Sequence, residues 1–432
     1  LTPVAFFFVP PHERPLTMNT LQPHHPQQCQ HLMSVTARPA DVFVRGEGAW
    51  LWDQAGRRYL DWLQGWAVNA LGHCPAVITQ ALQTQSTQLL TPSPALYNLP
   101  SLELAQRLCA LSGFDQVFFG STGAEANEGA IKLARKWGRT GGRNGERAAR
   151  REAGAGAFEI ITFDNAFHGR NLATMAASGK AGWDALFPPN LPGFAKATLN
   201  DLASVHRVLS ERTVAIMLEP VQGEAGVRPA TRAFLQALRE LCDERGLLLI
   251  FDEVQTGCGR LGELFGFQHY GVKPDILTLG KGLGGGVPMS AVLAQQHCSV
   301  FEHGDQGGTY AGNPLMCAVS LAVLQELSQP DFLTRVRERG QQLQEGLLQL
   351  SQRHGLGEVR GAGLLWALEL GRDNAADVVR ACREQGLLVN AARPHCLRFM
   401  PRLNSTAQEV QTGLNILDEV LNQPGSGATE SR

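Results

Sequence analysis

Surplus charge is almost absent from this 432-residue sequence, and so are long apolar runs. Forty Asp and Glu face 38 Lys and Arg, a formal net charge of −2. That balance gives no electrostatic drive toward nucleic acid or an anionic membrane. No apolar run reaches the ~18–20 residues a spanning helix needs. The nine cysteines include no CxxC pair and are odd in number. They argue against a disulfide framework or a zinc site and suit a reducing, cytoplasmic setting, so no metal is expected. Glycine is what the chain has in quantity: 47 residues, many clustered directly after apolar, strand-like runs.

Residues 1–36 read as a flexible leader, proline-rich from Pro3 to Pro26 and without the basic flank of a secretory signal. The chain begins with Leu1, which leaves Met18 and Met33 as candidate starts. Residues 37–65 form an N-terminal segment expected to pack with a later, smaller domain, and Gly48–Asp53 with Gly56–Asp61 reads as a hairpin. Over 66–317, strand-like runs alternate with helical ones. The strands are Gln116–Phe119, Phe158–Phe163, Val214–Leu218, Leu247–Phe251 and Ile276–Leu279; Ala124–Trp137 and Ala233–Arg245 are helical. This predicts an α/β large domain with a mostly parallel central sheet, whose chemistry collects at the carboxyl ends of the strands. Within it, 138–156 is rich in Gly, Arg and Ala and reads as a solvated surface insertion, since no aromatics interleave its basic run. Residues 318–422 read as a smaller α+β C-terminal domain, with a helix over Arg335–Leu350 and strands at Leu364–Leu370 and Leu387–Asn390. A Gly/Ser tail, 423–432, follows.

Six stretches carry chemistry. In Leu279-Gly280-Lys281-Gly282, a lysine follows a buried strand between glycines, which suits a Schiff-base amine or, alone, a lysine in a surface turn. In Phe251-Asp252-Glu253, a carboxylate ends an apolar strand. It fits equally the partner of a protonated pyridine nitrogen and a helix N-cap. The order strand, small-residue turn, helix in Phe119-Gly120-Ser121-Thr122-Gly123-Ala124 suits a phosphate cradle or, alone, a bare strand–turn–helix junction. Phe167-His168-Gly169-Arg170 offers a ring cover and a carboxylate clamp. Gly308-Thr309 places a hydroxyl within a loop, and Arg398 lies between apolar neighbours that call for an anionic partner. A lysine, a pyridinium partner, a phosphate site, a ring cover and two carboxylate clamps together match one cofactor.

On these motifs the sequence resembles the ornithine-type (class III) aminotransferases, fold-type I enzymes that use pyridoxal 5′-phosphate, over nearly all of Ala37–Leu421. The resemblance implies a covalent Schiff base on Lys281, Asp252 on the ring nitrogen and Gln255 near the ring's phenolic oxygen. Thr122, Gly123 and Ala124 would hold the phosphate, with Phe167 stacked on the ring. His168, Glu253 and Val254 would line the same site. Thr309 would reach the phosphate from a neighbouring subunit, so a homodimer with interfacial active sites is implied.

Gly65–His73, Gly123–Arg135 and Glu219–Glu224 are most similar to the bacterial acetylornithine branch. That likeness implies N2-acetyl-L-ornithine as amino donor, 2-oxoglutarate as acceptor and a place in arginine biosynthesis. Arg170, Gly308 and Arg398 would contact substrate, and Glu219 would mask an arginine in one half-reaction. Ser121-Thr122, Gly308 and Arg402 depart from the family's usual Asn-Ser, Ser/Thr and Pro. Ornithine, succinylornithine, succinyldiaminopimelate and 4-aminobutyrate stay open as donors. A non-catalytic protein of the same fold would leave the Lys281–Asp252 pair without purpose.

Overall fold

The computed structural model describes residues 31–140 and 157–423. Most of the leader, residues 141–156 of the expected insertion and the tail from 424 lie outside the described residues. Regular structure begins with three antiparallel strands, β1 (Phe43–Glu47), β2 (Trp50–Asp53) and β3 (Arg58–Asp61). The last two are the arms of the expected hairpin.

The central sheet draws on β4 (Gln116–Gly120), β5 (Glu159–Phe163), β6 (Phe194–Ala197) and β7 (Thr213–Leu218). A two-residue-armed hairpin follows, β8 (Val221–Gln222) with β9 (Arg228–Pro229). The sheet is completed by β10 (Leu248–Asp252), β11 (Ile276–Leu279) and β12 (Ser290–Ala294). Its seven strands run in the order β4-β12-β11-β10-β7-β5-β6. Only β12 is antiparallel to its neighbours. Six carboxyl ends therefore point to one edge of the sheet.

Strand parity decides what lies on each face. Leu248 and Ile250 join Ile276, Ala130, Leu133 and Trp137 in a core beneath the Gly123–Arg139 helix. Leu249 and Phe251 pack on the other face with Leu277, Phe234 and Leu238, under the Arg232–Arg245 helix. By the same alternation Asp252 and Thr278, partners in register across β10 and β11, fall on the face of the Gly123–Arg139 helix. That helix runs past the expected end at Trp137. Gly138 lies inside it and is buried, because a Cβ there would stand 2.3 Å from Val214 Cγ1.

The C-terminal strands are β13 (Val359–Ala362), β14 (Leu365–Glu369), β15 (Leu387–Leu388), β16 (Asn390–Arg393) and β17 (Cys396–Phe399). An antiparallel sheet, β13-β14-β17-β16, holds four of them. β15 leaves it and pairs in parallel with β3. The run Leu387–Asn390, expected as one strand, is thus split at Val389 between two sheets, since the N-terminal hairpin offers an edge that β15 completes. Met400 N donates to Trp62 O (2.8 Å) and Leu403 N to Ala70 O (2.7 Å), which ties the end of β17 to the chain just after the hairpin.

Candidate active site

The carboxyl edge of the central sheet gathers most of the expected residues. Asp252 ends β10 and is buried. Its Oδ2 accepts from Asn127 Nδ2 at 2.7 Å and lies 2.8 Å from His168 Nδ1, and its Oδ1 accepts from Val254 N at 3.0 Å. The buried carboxylate is therefore solvated by protein donors alone. Neither Asn127 nor Thr278, which donates to Asn127 Oδ1 at 2.7 Å, stood out in the sequence. The register of β10 with β11 brings them there, and no local motif encodes it.

Lys281 follows β11 with φ at +40°, in the left-handed region that costs a side-chain-bearing residue strain. Around it the backbone is crowded. A Cβ on Gly280 would lie 3.2 Å from Val254 Cγ1, and one on Gly282 3.1 Å from Cys258 Cβ. Burial holds the Lys281 ammonium below the ordinary lysine range and Arg398 adds to that, against the pull of Asp252, Glu219 and Glu224. An amine with a lowered proton affinity is available as a nucleophile.

Thr122 caps the Gly123–Arg139 helix through a reciprocal box with Glu125. Glu125 Oε2 takes the N–H groups of Ser121 (2.5 Å) and Thr122 (3.1 Å). The amides of Gly123 and Ala124 have no protein acceptor among the described residues and stand at the positive end of the helix dipole. Val254 packs against this turn; a Cβ on Gly123 would come within 2.5 Å of its Cγ1. Glu253 is turned elsewhere. Its carboxylate accepts from Gly266 N (2.5 Å) and Phe267 N (2.6 Å), and burial raises it to about 8.

Phe167 meets Trp183 edge-on at 5.7 Å, and the exposed Arg170 lays its guanidinium over the same Trp183 ring at 5.2 Å. His168 is buried, and its Nε2 has no partner among the described residues. Gly308 and Thr309 are exposed and line a cavity of about 330 Å³ with Gly120, Ser121 and Glu125. Lys281 is not among the residues that line this cavity with Thr309.

Arg398 on β17 is buried. Its Nη2 donates to Glu224 Oε1 at 2.7 Å, Nε donates to Asn390 Oδ1 at 3.0 Å, and Nη1 is buried without an acceptor among the described residues. Burial alone would raise Glu224, but the facing guanidinium outweighs it and holds the carboxyl below its ordinary range. The carboxylate paired with an arginine here is Glu224, in the β8–β9 loop, and not Glu219, where the arginine mask was expected. Glu219 instead accepts from Phe167 N at 2.9 Å, and burial, reinforced by Asp252, raises its carboxyl to about 8. Gln255 is buried with its Nε2 3.5 Å from Trp66 O. Arg402 faces away from Arg398's partners: it grips Glu409 (Nη2–Oε1 2.9 Å) and crowds Gly72, whose Cβ would meet its Cδ at 2.9 Å.

These residues fit pyridoxal phosphate by their chemistry. Gly123 and Ala124 supply unpartnered amides for a phosphate, Asp252 an anion for a ring cation, Lys281 an amine, and Arg398 Nη1 an orphan donor for a carboxylate. The model for aminotransferase class-III matches residues 33–421. The chain belongs to the class-III aminotransferase family.

Among its relatives, "Acetylornithine aminotransferase 2" of Bordetella bronchiseptica is 57% identical over 393 residues, 90% of this chain and 96% of that one. The acetylornithine aminotransferase of Ralstonia nicotianae is 55% identical over 401 residues, 92% and 98% of the two chains. The ornithine aminotransferase of Toxoplasma gondii superposes with a TM-score of 0.83 at 32% identity, covering 90% of this chain and 92% of that one. N-acetylornithine aminotransferase of Stenotrophomonas maltophilia gives 0.75 at 35% identity, covering 89% and 96%. The class-III enzyme is accordingly a fold-type I aminotransferase acting on small molecules, and family membership implies pyridoxal phosphate. No helix among the described residues is long and apolar enough to cross a membrane.

Proposed function

We propose that this aminotransferase transfers the δ-amino group of N2-acetyl-L-ornithine to 2-oxoglutarate, giving N-acetyl-L-glutamate 5-semialdehyde and L-glutamate. The observation that carries the reading is the Glu224–Arg398 pair within electrostatic reach of Lys281. Relatives named for acetylornithine, at 55–57% identity over nine-tenths of the chain, support the donor.

Pyridoxal phosphate, when bound to Lys281, supplies an electron sink for the charge left at the reacting carbon. Gly123, Ala124 and Thr122 would hold its phosphate at the helix N-terminus, Phe167 would cover the ring, and Asp252 would meet the ring nitrogen. The Lys281 amine would act as base toward the proton on the substrate's reacting carbon and then, as acid, deliver that proton across the shared nitrogen to the cofactor side. Burial lowers its proton affinity, which favours the free base that the first of these tasks needs.

The two substrates differ at the reacting carbon. The δ-carbon of the donor carries no carboxylate, whereas the reacting carbon of 2-oxoglutarate and glutamate does. Arg398 stays paired with Glu224 for the donor, whose distant carboxylate is taken by Arg170. For the acceptor, Glu224 yields and both Nη groups of Arg398 clamp the α-carboxylate. One site thereby handles two substrates of different charge. The exposed run Leu89, Leu90, Leu96, Tyr97 and Leu99 is the surface expected to bury itself in a homodimer.

The direct test is borohydride reduction of holoenzyme followed by peptide mapping. The cofactor mass on the Lys281 peptide is expected; its attachment to another lysine, or to none, overturns the assignment.

A further inference from the structure

Asp252 is held by a chain of hydrogen bonds that starts on the next strand. Thr278, fully buried on β11, donates from Oγ1 to Asn127 Oδ1 at 2.7 Å. Asn127, in the first turns of the helix above, spends both amide hydrogens on one side: Nδ2 donates to Asp252 Oδ2 and to His168 O, each at 2.7 Å. The threonine fixes which way the amide faces. Were the amide reversed, its oxygen would confront a carboxylate and a carbonyl, and its N–H groups would face a hydroxyl.

The consequence falls on the geometry of the carboxylate. With Asn127 and His168 both at Oδ2, and Val254 N alone at Oδ1, the remaining acceptor capacity lies on Oδ1. We propose that Asn127, oriented by Thr278, is a positioning residue that fixes the Asp252 carboxylate and leaves its Oδ1 free for the cofactor's ring nitrogen. This rests on the proposed function, in which that ring lies against Asp252. A carboxylate that loses a donor takes a proton more readily. Without the relay, the proton shared with the ring shifts toward Asp252, the ring loses its positive charge, and the lysine-bound cofactor holds its own proton more tightly.

The probe is pyridoxal phosphate itself, added to apoprotein of the wild type, Thr278→Val and Thr278→Ser. Two readouts are taken: the cofactor's dissociation constant, and the pH midpoint of its visible absorbance once bound. His168, Glu253, Lys281, Glu219, Glu224 and Arg398, the other titratable and charged groups around the site, stay unchanged in all three proteins. Thr278→Val is expected to weaken binding by about fivefold and to raise the midpoint by about half a pH unit or more. Thr278→Ser, which keeps the hydroxyl, is expected to restore both. Wild-type values in Thr278→Val overturn the proposal, as does equal impairment of the valine and serine variants, which would assign the effect to packing of the methyl group. If the valine variant does not fold, Asn127→Ser is given the same two readouts, with the same directions expected and wild-type values again overturning the proposal. A wild type that binds no pyridoxal phosphate overturns the functional reading instead, a result none of the variants can mimic.

Discussion

Glu224 Oε1 stands 2.7 Å from Arg398 Nη2, while the other terminal nitrogen of the same guanidinium has no acceptor among the described residues. The pair is half-made: one donor is satisfied and one waits. In the proposed reaction, a buried arginine arranged this way would distinguish substrates by whether they bring a carboxylate to the reacting carbon.

Removing the mask shifts that preference. Glu224→Gln is expected to raise the ratio of kcat/KM for glutamate over N-acetylornithine by about tenfold, the worth of one charge-assisted hydrogen bond. Steady-state kinetics of each half-reaction checks it. An unchanged ratio would show that Glu224 does not compete for Arg398.

Gly223 lies where no side chain fits. A Cβ there would stand 1.7 Å from Gln255 Oε1 and 3.2 Å from Arg398 Nη1. Gly223→Ala is expected to lower kcat/KM by about 10²-fold through misplacement of those two side chains, with Tm nearly unchanged. A large fall in Tm would assign the glycine to folding.

Glu219 gives a pH signature. Its folded value, raised to about 8, lies above the ordinary 4.5, so the folded state binds a proton that the unfolded chain has released. The stability from this carboxyl is fully present below about pH 4.5 and is lost as pH rises through about 8. Against a Glu219→Gln variant, wild-type apoprotein is expected to lose relative stability between those limits in denaturant titrations. A difference that does not vary with pH would contradict the raised value.

Lys281→Ala is expected to lower turnover by about 10⁴-fold or more while retaining non-covalent cofactor binding, measured by absorbance after gel filtration. Turnover near that of the wild type would end the account.

Residues whose role follows from local order were readable in the sequence. An apolar run ending in Asp252, a strand ending beside Lys281 and a small-residue turn opening a helix at Thr122 each signal burial next to polarity. Roles created by pairing were not. Asn127 meets Asp252 and Thr278 only because β10 and β11 align those two residues on one face. Glu224 rather than Glu219 reaches Arg398 because the β8–β9 hairpin turns it there. The reversed strand β12, which begins at Ser290 just after the glycine-rich turn ending at Gly286, has no periodicity of its own. It is defined by the two strands it separates.

The most direct test of the central claim follows the visible spectrum of the holoenzyme as N-acetylornithine, ornithine, succinylornithine and 4-aminobutyrate are added singly, without acceptor. The account predicts that N-acetylornithine converts the yellow cofactor to its amine form at the lowest concentration, and that 2-oxoglutarate then restores the colour. Equal or faster conversion by another donor would contradict the proposed substrate, and a protein that never turns yellow with pyridoxal phosphate would contradict the site itself.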